Sequence, residues 1–260
     1  MAAYLRLRQI CLAVEDLPRA MADLAAVFGV CLAHQDPQLA AYGVRNAVYP
    51  FGLSFIELVA PLWEDTAASR FMRRGSRRGA YMAIFNCDNP RERRDTLRAL
   101  GLRIAAEIEL ETFHAIQLHP KDCRATMIEF DRTPGEEEDL RGPYFAAGGA
   151  GWTRAIRTDV TQGIVEVVLE SPDAPDLCQH WARILHLPAL LAGGERVIEV
   201  DLCRLRFRPG RAEALTTVVV EVTDVAATLA RATERGLAVD ANAVLGLGGV
   251  DFLLRQPGRP

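Results

Sequence analysis

Two stretches of the chain alternate like β-strands and carry one charge in the middle. In residues 51–61, alternation puts Glu57 on an otherwise apolar face of a strand. In residues 125–131, Glu129 is centred in the same way. A carboxylate is costly to bury there unless a partner binds it, so the two glutamates are the first candidates for a functional site.

The pattern around these strands repeats along the chain. A strand at residues 7–14 is followed by Asp16 as a helix N-cap and by Gly29 as the helix C-cap, 13 positions later. A second strand at residues 80–86 is followed by the same arrangement. Four residue pairs, each 72 positions apart, indicate a duplication: Gln9/Tyr81, Asp16/Asp88, Gly29/Gly101 and Glu57/Glu129.

Two weaker copies of the unit follow in the second half. Their strands are predicted near residues 164–170 and 215–222, with helices that begin at Asp173 and Asp224. The sequence therefore predicts an α+β fold of four β-α-β-β-β modules paired into two domains. We expect a first domain at residues 1–132, an interdomain linker at 133–160 and a second domain at 161–260. The linker has a turn-rich, partly acidic sequence, and its acidic run at residues 136–139 is predicted to be a solvated face.

This repeat resembles the vicinal-oxygen-chelate superfamily, which includes glyoxalases, methylmalonyl-CoA epimerase, extradiol dioxygenases and bleomycin-resistance proteins. The resemblance covers essentially the whole chain. It is carried by the segments R-Q-I-C-L-A-V-E-D-L, F-I-E-L-V-A-P and L-H-P-K-D-C-R-A-T-M-I-E-F. It implies that each pair of modules forms a glyoxalase-like half-barrel whose cup holds a ligand and, in many members, a metal.

The resemblance also assigns four ligand positions to the first cup, which here are Gln9, Glu57, Tyr81 and Glu129. Two of these positions are commonly histidine in metal-binding members, and this chain has Gln9 and Tyr81 there. A metal held by Gln9, Glu57 and Glu129 would have oxygen ligands only, which favours Mg or Mn over Zn or Fe. A site without any metal is the other expectation.

Three further residues are candidates in the first domain. His119 could shuttle a proton at the mouth of the cup or merely hold a turn. Asn46 could donate a hydrogen bond to a substrate oxygen or cap its strand. Tyr81 keeps its proton near neutral pH, so it could donate a hydrogen bond to a ligand. The alternative is that its ring only forms part of the cup wall.

Two other regions are expected to take no part in the site. The arginine-rich run at residues 70–78 is predicted to be a solvated loop, with binding of an anionic ligand as the alternative. In the second cup the matching positions are Glu166, about Leu205, Thr217 and about Leu253, which predicts a mostly apolar lining with a structural role.

Composition narrows the choice of partners. The 260-residue chain has a net charge of −4, which gives no general attraction to nucleic acid or to an anionic membrane. Six scattered cysteines without a C-x-x-C pair, and the lack of a signal peptide or apolar span, predict a cytoplasmic protein. Because Lys121 is the one lysine among 30 basic residues, a GC-rich bacterial source is expected. The expected partner is a small molecule, and a homodimer is left open.

Two functions fit these observations. The first is a lyase, isomerase or epimerase that moves a proton beside a carbonyl, with Glu57, Glu129 and His119 as catalytic residues and Gln9, Tyr81 and Asn46 as ligand-binding residues. The second is a protein that binds or sequesters a small aromatic or drug-like molecule without chemistry.

Overall fold

A computed structural model of the chain describes residues 4–73, 79–137 and 139–258. Within these ranges the strands form two mixed sheets, of seven and eight strands. Each sheet contains two modules placed side by side, which confirms the predicted α+β fold. Residues 74–78 of the arginine-rich run lie outside the described residues.

The first module has the predicted helix but one regular strand fewer. Asp16 accepts a hydrogen bond from the backbone N–H of Arg19, and Gly29 ends the helix in the left-handed conformation. The first of the three strands expected after the helix is reduced to a single bridge between His34 and Val48. The elements are β1 (Leu5–Ala13), α1 (Leu17–Phe28), a 3-10 helix (Pro37–Tyr42), β2 (Val44–Phe51), β3 (Ser54–Pro61) and the unpredicted α2 (Ala67–Arg73).

The second module repeats this plan with all of its strands. Its helix is capped by Asn89, one residue after the predicted Asp88. The elements are β4 (Met82–Cys87), α3 (Pro90–Ala99), β5 (Ile104–Leu110), β6 (Phe113–Leu118), α4 (Pro120–Cys123) and β7 (Met127–Arg132).

The first sheet has the order β2-β3-β1-β4-β7-β6-β5. Strands β1 and β4 pair antiparallel at its centre, and each is flanked by a parallel partner, β3 or β7. The two glutamate-bearing strands are therefore related by the approximate twofold symmetry that the 72-residue repeat predicts.

The second half follows the same plan. Asp173 and Asp224 cap its two helices as predicted, and His186 takes the left-handed conformation at the end of the first. The sheet has the order β13-β14-β15-β12-β8-β11-β10-β9. Its elements are β8 (Thr161–Ser171), α5 (Ala174–Leu185), β9 (Leu190–Ala192), β10 (Glu195–Val200), β11 (Cys203–Pro209), β12 (Ala214–Val222), α6 (Val225–Glu234), β13 (Val239–Asp240), β14 (Ala243–Leu247) and β15 (Val250–Arg255).

Helices of both halves join the two sheets in one apolar core. The ring of Phe28 on α1 lies 5.2 Å from Phe51 of the first sheet and 4.9 Å from Phe252 of the second. Trp181 on α5 contacts Phe85 and Phe207 in the same way, at 6.3 and 6.2 Å. Because burying aromatic side chains is strongly favourable, these contacts hold the two halves together.

The segment at residues 133–160 does more than connect the halves. Two short 3-10 helices, Phe145–Ala147 and Ala150–Ala155, lie within it. Tyr144 and Trp152 are buried against Phe55 of β3, with ring centroids 4.9 Å from it in both cases. The segment thus covers part of the first sheet, and the division of the chain into two domains there stays a prediction.

The turn between β2 and β3 lies against β8 of the second half. Gly52 has φ +64, and a Cβ added there would overlap the carbonyl oxygen of Gln162 on β8. Gly101 has a similar φ of +77 but nothing within 4 Å of an added Cβ. We expect Gly101→Ala to cost about 1 kcal/mol from its backbone conformation alone. Gly52→Ala should cost at least about 2 kcal/mol, because the clash is added to the same strain.

Urea denaturation of both variants measures this difference. Equal losses of stability in the two variants would contradict the described contact between the β2–β3 turn and β8.

Candidate functional site

The alternation predicted for the Glu57 strand is present in β3. Ile56 and Leu58 lie in the main core, whereas Phe55 and Val59 face the other side of the sheet with Glu57. This second side of the first sheet, opposite the main core, is called here the first cup.

Glu57 lies in the first cup with only 8% of its surface exposed. Its Oε1 accepts a hydrogen bond from Asn46 Nδ2 at 2.7 Å, and its Oε2 accepts one from Gln9 Nε2 at 2.8 Å. Burial raises the pKa of Glu57, and the donors Asn46, Cys11 and Gln9 oppose that rise. Both carboxylate oxygens therefore have a side-chain amide donor.

Glu129 lies on β7 in the same cup and is 7% exposed. Its Oε2 accepts a hydrogen bond from Gln117 Nε2 at 2.7 Å, and the two residues are register partners on β7 and β6. Burial, the nearby charge of Asp131 and the charge of Glu57 raise the pKa of Glu129 to about 8. The two glutamates are thus close enough to influence each other.

A β-bulge in β1 places Gln9 in the cup. The register with β4 shifts between Leu7 and Gln9, so Arg8 and Gln9 both contact groups of the first cup. Bulges commonly re-aim a side chain in this way. Gln9 is 2% exposed, and its Oε1 has no hydrogen-bond partner.

Tyr81 lies at the edge of the site, one position away from the register expected for a ligand. In the first module Gln9 pairs with Phe55. The residues 72 positions later are Tyr81 and Met127, but Met127 pairs with Met82. The Tyr81 ring contacts Phe71 of α2 at 5.2 Å. Burial raises the pKa of Tyr81 to about 12, so this phenol is a hydrogen-bond donor at neutral pH.

His119 caps the short helix α4. Its Nδ1 accepts a hydrogen bond from the backbone N–H of Lys121 at 3.3 Å. The structure shows the turn-holding role that was one of the two expectations, and proton shuttling by His119 stays a prediction.

A buried arginine, which the sequence analysis did not select, lies beside Gln9. Arg8 is fully buried, and its guanidinium lies 5.1 to 5.7 Å from the rings of Phe55, Tyr144 and Trp152. Its Nη2 donates to the carbonyl of Leu140 at 3.2 Å. Strand-like alternation assigns Arg8 and Gln9 to opposite faces, so only recognition of the bulge could have found this residue.

Arg8 belongs to a buried polar network that ties residues 133–160 to the sheet. Asp131 accepts hydrogen bonds from Asn86 at 3.1 Å and from Tyr144 at 3.0 Å. Glu136 accepts from Asn86 as well, although the sequence predicted that its acidic run would be solvated. That prediction is wrong for Glu136, which is 1% exposed.

The second cup is charged, contrary to the prediction of a mostly apolar lining. Glu166 accepts two hydrogen bonds from Arg206, both at 2.8 Å, and Arg206 also binds Glu195 at 2.8 Å. Leu205 faces the core, and the alternate positions Arg204 and Arg206 face the cup. The prediction failed because its register on β11 was one residue off.

A group outside both cups has the composition of a metal site. The ligand atoms of Glu107, Glu109 and His114 lie within 4.8 Å of one another. Arg94 binds Glu107 at 2.8 Å, and Arg91 binds Glu109. These ion pairs account for the group as part of a surface charge network.

The proton on Glu129 gives a prediction for stability. Folding raises the Glu129 pKa from about 4.5 to about 8, so the folded chain binds this proton more tightly than the unfolded chain does. Stability is therefore lost as pH rises between these values. Glu129→Gln removes the charge and should raise the melting temperature at pH 9 by about 3 °C or more, with little change at pH 4.5.

The matched control is Glu234→Gln, which removes a carboxylate exposed at the end of α6. The same rise in both variants, or a drop in melting temperature for Glu129→Gln at pH 9, would contradict a burial-raised pKa.

The ion pair of the second cup gives a separate prediction. Glu166→Gln leaves Arg206 with a weaker partner and should cost about 1 to 3 kcal/mol of stability. Glu199→Gln breaks a more exposed pair with Arg204 and should cost less than about 1 kcal/mol. Chemical denaturation measures both, and equal costs would contradict a special role for the Glu166 pair.

The profile of the family described as "Glyoxalase-like domain" matches residues 10–185. The mitochondrial methylmalonyl-CoA epimerases of Bos taurus and Homo sapiens are 28% and 27% identical to this chain over 130 residues. The aligned region is 49% of this chain, 74% of the Bos taurus protein and 73% of the Homo sapiens protein.

One solved structure matches nearly the whole chain. A hypothetical protein from Staphylococcus aureus aligns with a TM-score of 0.69 at 10% identity and covers 98% of this chain and 100% of its own. This similarity shows that the tandem arrangement of two sheets occurs in another protein. In the described residues, no helix is long and apolar enough to cross a membrane.

The family match covers more than half of the residues and includes β3, β7 and the segment between the sheets. The chain therefore belongs to the glyoxalase-like domain family, within the vicinal-oxygen-chelate superfamily.

Proposed function

We propose that the chain is an enzyme of the isomerase or epimerase class that moves a proton on a carbon next to a carbonyl. The observation that carries this proposal is the pair of buried carboxyl groups, Glu57 and Glu129, in one cup and within electrostatic reach of each other. The mitochondrial relatives are named as epimerases, which supports the same reaction class.

The surroundings of the two glutamates suit different roles. Glu57 has three side-chain donors, the amides of Asn46 and Gln9 and the thiol of Cys11, and such donors favour the ionised form. Glu129 has one amide donor, Gln117, whose effect is outweighed by burial and by the charge of its acidic neighbour Asp131, so the protonated form is favoured. Carboxyl groups with such contrasting environments are typical acid and base partners.

With these roles the reaction has two proton-transfer steps. The Glu57 carboxylate removes the proton from the carbon, and the C–H electron pair moves into the carbonyl to form an enolate. Glu129 then gives its proton to the opposite face of that carbon, and the enolate electrons return to form the new C–H bond. Exchange of protons with water resets both groups. Tyr81, which keeps its own proton, is the donor proposed for the enolate oxygen.

The proposed substrate is a small molecule with an acidic C–H bond beside a carbonyl. The apolar part of the cup, formed by Cys11, Val59, Ala68, Met82 and Ile84, suits an uncharged substituent on that carbon. Lyase chemistry that begins with the same proton removal is compatible with these residues.

A divalent Mg or Mn ion held by Gln9, Glu57 and Glu129 was the alternative expected from the sequence. The residues do not fit it as they are arranged, because Gln9 and Asn46 turn N–H donors, not oxygens, toward Glu57. No step of the proposed reaction uses a metal.

The second candidate function is binding without chemistry. It is favoured by the apolar cluster that lines the cup between β1, β3, β4 and α2. A bulky apolar compound that raises the melting temperature, with no proton exchange in any carbonyl compound tested, would favour this function.

The cellular setting is part of the proposal. The six cysteines are all free thiols, which supports a reducing compartment such as the cytoplasm. We propose a small molecule as the partner, and no step of the proposed reaction involves a second copy of the chain.

Hydrogen exchange tests the proposed reaction. The protein is incubated in D2O with methylmalonyl-CoA and with ethyl 2-methylacetoacetate, and deuterium at the carbon between the carbonyls is followed by NMR. We expect exchange above the uncatalysed rate for at least one compound. Glu57→Gln and Glu129→Gln should each lower it by at least about 100-fold, since positioned acid–base groups contribute that much.

Glu166→Gln, which changes the second cup, is the control and should leave exchange unchanged. Because Glu129 acts as the acid, exchange by the native protein should fall as pH rises through about 8. Exchange that is insensitive to both cup substitutions would overturn the proposed roles.

A further inference from the structure

We infer that amide side chains take the place of a cation in the first cup, with Gln9 and Asn46 binding Glu57 and Gln117 binding Glu129. The inference does not depend on the proposed function, because it applies equally to an enzyme and to a binding protein. It assigns Asn46 and Gln117 as positioning residues of this cluster.

The hydrogen bonds define the arrangement. Both oxygens of Glu57 accept from amide nitrogens, at 2.7 Å from Asn46 and 2.8 Å from Gln9. Glu129 accepts from Gln117 at 2.7 Å. A cation site needs oxygen atoms turned toward the ion, whereas here N–H groups point at three of the four carboxylate oxygens.

The orientation of Asn46 is fixed by a second contact. Its Oδ1 accepts a hydrogen bond from the backbone N–H of Asp36 at 2.8 Å. Turning the amide over would break this bond and would place Oδ1 against the Glu57 carboxylate. Asn46 is 3% exposed, so water cannot readily compensate for either loss.

The orientation of the Gln9 amide is also fixed by its contact with Glu57. Its Nε2 binds Glu57, and its Oε1 is buried without a partner. Exchange of the two atoms would bring an amide oxygen against a carboxylate oxygen, which is unfavourable. The unpartnered Oε1 is instead available to accept a hydrogen bond from a ligand.

The remaining superfamily position also presents a donor. Tyr81 keeps its phenolic proton, and its ring lies against Phe71. Amide groups thus meet the two carboxyl groups, with the Tyr81 phenol at the edge of the site, where other members of the fold use histidines and an ion. Neutral donors stabilise a buried carboxylate through hydrogen bonds and add no net charge.

Two isosteric substitutions test this assignment. Asn46→Asp and Gln117→Glu each replace an amide donor with a carboxylate of nearly the same shape. Asp at position 46 keeps an acceptor for the Asp36 N–H. Each variant adds a negative charge beside Glu57 or Glu129 and removes the N–H that neutral pairing requires, so it should now need a cation.

The control is Asn89→Asp, which makes the same chemical change at the exposed N-cap of α3, where aspartate caps equally well. All four proteins are freed of metal with EDTA, and melting temperatures are measured with EDTA and with 1 mM Mn²⁺. Calorimetric titration with Mn²⁺ gives the stoichiometry of binding.

We expect the native protein and Asn89→Asp to change by less than about 1 °C between EDTA and Mn²⁺. Asn46→Asp and Gln117→Glu should melt lower in EDTA and gain roughly 5 °C with Mn²⁺, and they should bind one ion. If either variant fails to fold in EDTA, Mn²⁺ added during refolding should restore it.

Three results would overturn the inference. The first is a native protein that loses several degrees in EDTA and regains them with Mn²⁺. The second is the failure of Mn²⁺ to stabilise or refold both acidic variants. The third is a response of Asn89→Asp as large as that of the cup variants.

Discussion

A carboxyl group buried among apolar strands must receive hydrogen-bond donors or keep its proton, and the first cup is built around two such groups. Glu57 and Glu129 are both less than one-tenth exposed. The cup supplies three amide donors to them, and burial keeps the pKa of Glu129 near 8. Without these donors, burying two ionised groups here would cost a large share of the free energy of unfolding that a folded protein typically has.

This requirement links the site to the architecture of the sheet. The donors come from separate strands, since Gln9 lies on β1, Asn46 on β2 and Gln117 on β6. A slip of one residue in any pairing would turn its side chain to the other face. The bulge in β1 is an example of the control that is needed, because it lets Gln9 contact Glu57 while Leu7 stays in the core.

The sequence predicted those parts of the fold that local signals specify. Asp16 and Gly29 delimit α1 as expected, and the 72-residue repeat relates the two strands that carry Glu57 and Glu129. Alternation also predicted the face of β3 on which Glu57 lies. Each of these features depends on residue types at fixed spacings, which a single sequence displays.

The features that the sequence did not predict depend on long-range contacts. The burial of Tyr144 and Trp152 against the first sheet requires knowledge of how a turn-rich segment folds back. The positions of Tyr81 and Leu205 each depend on a register one residue away from the expected one, and pairing partners decide that register. Amide donors such as Gln117 lack a motif, because a glutamine on a strand becomes a partner of Glu129 only through its neighbour on β7.

The two cups stabilise their buried carboxylates in two different ways. Glu166 occupies in the second cup the place that the resemblance gives to Gln9 in the first. It is paired with Arg206 through two hydrogen bonds, so its charge is balanced within the sheet. The glutamates of the first cup have neutral donors, which do not balance their charge, and burial keeps their proton affinity high. A balanced ion pair is suited to holding a structure, whereas an unbalanced carboxyl group retains the capacity to gain or lose a proton. Of the two cups, the first is therefore the one that we propose for proton chemistry.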